Sequence, residues 1–175
     1  MNARLTTLSC LLLAPLYAYA ADLPKQGAFA VTAYMRSGVV SFETTPKHYA
    51  WTWDDNGIAV NDAGSAFPGR MAVHCVGSGA STNAQGGVQN AGHCVYIDAD
   101  GDRFTTNSSS VSESQATIHG EVGFGDGSGK YAGIQGKIEM TTERLPHSDV
   151  RAGSLRTDAY VMHLKGSYTL AGSTP

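Results

Sequence analysis

An all-β domain, a single small antiparallel barrel of about eight strands, is the fold this sequence predicts. Three observations carry that expectation. Apolar and polar residues alternate with period two along much of the chain, as in sheets with one buried and one wet face. No segment after residue 20 sustains an apolar period of 3.6, and 21 glycines among 175 residues recur too often for long helices. Turn residues punctuate the alternating runs at spacings that suit a sandwich or an up-and-down barrel. Closure into a barrel also removes the sheet edges that invite aggregation.

The elements follow in chain order. Residues 1–20 read as a signal peptide. Arg4 supplies a short positive region, residues 8–16 an apolar run, and Ala18-Tyr19-Ala20 a small-residue cleavage site. Cys10 lies too early for a lipoprotein anchor. Residues 21–175 are then a single exported β-barrel domain, periplasmic or secreted. Strands are expected at residues 29–36, 47–54, 70–77, 93–98 and 103–107. Later strands are expected at 116–124, 134–143 and 158–170, and 58–66 is ambiguous. Asp100-Gly101 marks a two-residue hairpin. Asp54-Asp55-Asn56-Gly57 reads as another turn, and residues 77–92 and 107–114 as polar loops. A loose tail is expected from Ala171.

Composition excludes several functions. Charged residues are 15% of the chain, below the roughly 25% of ordinary soluble domains. The net charge of −3 holds no basic excess, which argues against nucleic-acid binding. After residue 20 no apolar run approaches the length of a membrane span. Loss of Cys10 with the leader leaves Cys75 and Cys94, which in an oxidising compartment read as a disulfide.

The stretch Gly125-Asp126-Gly127-Ser128-Gly129-Lys130-Tyr131-Ala132-Gly133-Ile134-Gln135-Gly136 resembles the glycine-rich hairpin of the allene oxide cyclase and dirigent barrels. The pieces Asn61-Asp62-Ala63-Gly64, Cys75-Val76-Gly77 and residues 94–102 resemble exported bacterial proteins of the same superfamily. The resemblance implies the barrel fold, with Tyr131 placed to plug one end. No motif matching the functional residues of the plant proteins is present, so it implies no reaction.

Candidate chemistry is sparse. Tyr49, Trp51 and Trp53 alternate and share one strand face, where they can line an apolar ligand pocket or simply pack. Cys94, Tyr96 and Asp98 also share a face. If Cys75 points inward, a disulfide carries Tyr96 and Asp98 inward, and an interior carboxylate could act as an acid or base. His74-Cys75 and His93-Cys94 contain the residue types of a zinc site. Strand neighbours point to opposite faces, so no metal site is assigned; paired strands should instead set the two histidines against each other. Asp98, Asp100 and Asp102 lack the glycine and glutamate positions of an EF-hand, leaving a polar turn or a simpler calcium site.

No cofactor motif is found, and the oligomeric state is not encoded legibly. The leading expectation is a non-enzymatic binder of a small apolar or aromatic ligand. Alternatives are an isomerase or cyclase working in the barrel cavity, and a structural or partner-binding envelope protein.

Overall fold

A computed structural model describes residues 23–63, 67, 69–81, 87–112, 117–146, 150–152 and 155–171. The signal peptide expected over residues 1–20 and the end of the expected tail lie outside them. The described chain is built from nine strands and one three-residue 3-10 turn, Gly129–Tyr131. The strands are β1 (Gln26–Thr45), β2 (His48–Asn61), β3 (Arg70–Ser81), β4 (Val88–Asp98) and β5 (Arg103–Ser112). They continue as β6 (Thr117–Gly127), β7 (Gln135–Arg144), the short β8 (Val150–Ala152) and β9 (Leu155–Thr169).

Eight of them form a closed antiparallel barrel in sequence order, β1 through β7 and then β9, which pairs back onto β1. β8 adds a short hairpin to β9. The ladders are strongly staggered. Following paired residues around the barrel from Val31 on β1 leads back to β1 at Ser41, ten residues further along. Such stagger accompanies tilted strands. At Thr105 the β5–β6 register shifts, so Phe104 pairs with Gly127 while Thr106 pairs with Phe124.

Period-two alternation sends Phe29, Val31, Ala33, Met35, Ser37 and Val39 of β1 inward, and all are buried. One end of the barrel is filled by aromatic rings. Phe67, from the β2–β3 connection, packs against Phe29, Tyr168 and Tyr131 at centroid distances of 4.7, 4.8 and 5.5 Å. Tyr96 stacks on Phe104 at 4.7 Å. Edge and offset contacts of this kind add about 0.5–1.5 kcal/mol each beyond area burial.

Three local expectations give way to the barrel. Residues 54–57 are not a turn but the middle of β2, paired with β1 and β3 on its two sides. Turn-forming residues hold a strand here because two neighbours satisfy the backbone, and local propensity yields to that pairing. Residues 77–81 and 88–92 extend β3 and β4, and residues 107–112 extend β5, where polar loops were expected. The ambiguous segment 58–66 divides: residues 58–61 complete β2.

Cys75 and Cys94 pair directly and form a disulfide. Their histidine neighbours do not face each other. His74 pairs with Val95 and His93 with Val76, so the imidazoles are offset diagonally on the outer face. The antiparallel register that aligns the two cysteines forces that offset. His74 instead meets Asp54 at 3.1 Å and His93 meets Asn107 at 2.9 Å.

Candidate functional site

Opposite the aromatic end, the barrel keeps an interior cavity of about 130 Å³. Its wall includes Trp51, Trp53, Tyr96, Met140, Met162 and the disulfide, with Asp55, Asp158, Arg144, Arg156 and Tyr160 among its polar members. Small residues make this space. Trp53, Gly77 and Gly92 are cross-strand partners on β2, β3 and β4. A Cβ on either glycine would overlap the indole of Trp53, so the ring lies against bare backbone. Trp51 does the same over Gly79, and its Nε1–H donates to Asn90 Oδ1 at 3.1 Å.

A polar row crosses the same cavity. Ser37 pairs with Asp55 on one side and Asp158 on the other. Asp158 Oδ2 accepts from Arg144 Nε at 2.9 Å and from Arg156 Nη2 at 3.3 Å. Asp55 is only 4% exposed. Its Oδ2 accepts the Tyr160 hydroxyl at 2.6 Å, while its Oδ1 is buried with no hydrogen-bond partner. Burial pushes the Asp55 carboxyl above the ordinary range, and the negative charges of Asp54 and Asp158 add to the rise. The Ser37 and Tyr160 hydroxyls act in the opposite sense. Burial and the neighbouring Asp55 raise Tyr160 well above its ordinary value, so it stays protonated and donates.

The residues singled out from sequence separate in space. Trp51 and Trp53 line the cavity. Tyr96 is fully buried and lines it too, and desolvation pushes its hydroxyl far upward. Tyr49 points to the same side as the tryptophans but lies beyond them toward the hairpin end and is 47% exposed. Asp98 is buried at the aromatic end and does not line the cavity. There its Oδ2 meets Lys130 Nζ at 3.0 Å and accepts the Tyr131 hydroxyl at 2.9 Å. Its Oδ1 accepts the Asp100 and Asp102 amides at 2.9 and 3.2 Å.

Burial opposes the charge on Asp98, but bonds from Lys130, Tyr131 and the Asp100 amide outweigh it and hold the carboxyl below the usual range. The Lys130 ammonium also pairs with Asp100. The glycine-rich hairpin thus brings its own cation to the acidic turn, where a calcium ion was one expectation. Among the described residues no cluster of three His, Cys, Asp or Glu side chains could hold a metal.

Asp55, Tyr160, Arg144, Arg156 and Asp158 escaped the sequence reading. Alternation through Trp51, Trp53, Asp55 and Ala59 was the one signal for Asp55, and the turn-like Asp-Asn-Gly masked it. No protein family, curated protein or solved structure matches this chain.

Proposed function

We propose that this is an exported barrel that binds one small apolar or aromatic ligand without chemically changing it. The observation that carries the reading is the cavity: an aromatic-floored space walled by two indoles held flat on glycine backbone. Its size sets the ligand. About 130 Å³ is below the roughly 300 Å³ of drug-sized pockets but close to the roughly 150 Å³ cavity that accepts benzene. The ligand is therefore a single ring or its equivalent. The disulfide supports an oxidising destination, as does the leader-like start of the chain. No helix among the described residues is long and apolar enough to cross a membrane.

Native mass spectrometry of protein purified from its own host tests the reading, together with toluene titration followed by tryptophan fluorescence. A retained small adduct, or saturable quenching, is expected. A bare protein whose tryptophans ignore toluene would overturn it.

One observation favours a second reading, an isomerase. Asp55 is an interior carboxylate with a raised pKa beside the cavity, as proton-transfer sites require. Incubating any released ligand with the protein and following its isomers by NMR separates the two, because a binder leaves the mixture unchanged.

A further inference from the structure

We propose that the ligand is a ring-sized organic ammonium ion whose N–H group bonds Asp55 Oδ1. This deepens the ligand-binding reading and rests on it.

The carboxylate carries the inference. Asp55 is almost wholly buried and lines the cavity; Tyr160 bonds its Oδ2, the Ser37 hydroxyl acts on the carboxyl from the neighbouring strand, and Oδ1 makes no hydrogen bond of full geometry. Buried acceptors are nearly always paired in folded proteins, and an unpaired one is costly. A ligand that donates at Oδ1 removes that cost.

The sign of the donor follows from the charges around it. The carboxylates of Asp54 and Asp158 both act on Asp55. Arg144 and Arg156 pair with Asp158. Among the described residues no ion pair joins a cation to Asp55, so ionising it leaves a desolvated charge that burial disfavours. A positive donor offsets its charge as well as filling its lone pair, and such charge-assisted bonds are about twice as strong as neutral ones. The indoles of Trp51 and Trp53 share the cavity wall, and aromatic faces attract cations. The cavity volume limits the body of the ligand to about one ring.

The test is a matched series of one-ring probes titrated calorimetrically into the disulfide-bonded protein at neutral pH. The probes are benzylamine (as its ammonium ion), benzyl alcohol, toluene and benzoate. Benzylammonium is expected to bind about tenfold tighter than benzyl alcohol, the margin between a charged and a neutral hydrogen bond. In Asp55→Asn the two should converge, with near-UV circular dichroism checking that the variant is folded. The wild-type series decides the matter even if that variant fails to fold.

Benzyl alcohol equal to benzylammonium, benzoate strongest, or an ammonium preference that survives Asp55→Asn would each overturn the assignment. Toluene binding without any ammonium preference sinks this inference and leaves the apolar cavity standing. Failure of all four probes sinks both.

Discussion

Replacing Lys130 with methionine should destabilise the protein strongly at neutral pH and weakly in acid. Lys130 has 12% of its side chain exposed, and it reaches Asp98, whose side chain is 1% exposed. Methionine keeps much of the aliphatic packing but removes the ammonium. Breaking a buried pair by deleting one partner costs about 3–5 kcal/mol. Asp98 would retain the Tyr131 hydroxyl and two backbone amides, so a loss at or just below the bottom of that range, about 2–3 kcal/mol, is expected. For a chain of this size that is a fall in Tm of roughly 4–12 °C.

The pH dependence supplies the sharper test. Asp98 has a folded pKa below its ordinary value of 3.8. Its stabilising contribution is therefore complete above that value and is lost as pH falls through the lower folded value. Without Lys130, burial dominates and the folded pKa rises. The gap between wild type and variant should be widest near pH 7 and should narrow below about pH 4. Thermal melts followed by circular dichroism at both pH values measure it. Equal Tm values at pH 7, or a gap unchanged at low pH, would refute the buried-pair account.

Three further outcomes are expected. Cys75→Ala with Cys94→Ala removes a link spanning 19 residues and should cost about 3 kcal/mol, read as a lower midpoint in urea. Two titratable thiols in oxidised wild-type protein expressed without residues 1–20 would contradict the premise. Gly92→Val forces the Trp53 indole off the wall into the cavity, so the near-UV spectrum should change and toluene binding vanish, at an overpacking cost of about 1–3 kcal/mol; an unaltered spectrum counts against the glycine seat. Asp55→Asn should gain stability relative to wild type as pH rises. The raised Asp55 pKa means the folded state holds a proton that the unfolded state has already released, so ionisation costs the wild type progressively through that window and not below about pH 4. Urea melts showing a constant difference at every pH would exclude this.

The strands were legible wherever one face was clearly apolar. Ala33, Met35, Val73, Ile138 and Leu164 alternate with exposed or half-buried neighbours, and each lies inside the barrel. The turn at Asp100-Gly101 was legible because its chemistry is local, with Gly101 at a φ of 86°, but the connection runs over residues 99–102 and not the two residues expected. Strand ends were less legible. Ser108, Ser110, Gly77 and Gly92 look like loop residues, yet they sit in strands because a barrel with an internal space needs small and polar inward positions there. Half of the indole pocket, Trp51 and Trp53, was visible from spacing alone. The polar row was not, because Asp55 on β2 and Asp158 on β9 are remote in sequence and meet through Ser37 between them.

By itself the sequence determined the all-β class, the inward face of most strands and the cysteine pairing, because each rests on period-two geometry or on the two cysteines that follow residues 1–20. Only the tertiary structure decided where the cavity lies, that residues 54–57 are strand, and which carboxylate faces the space. Those outcomes depend on register around a closed circuit, and a register is fixed by every strand together rather than by any segment alone.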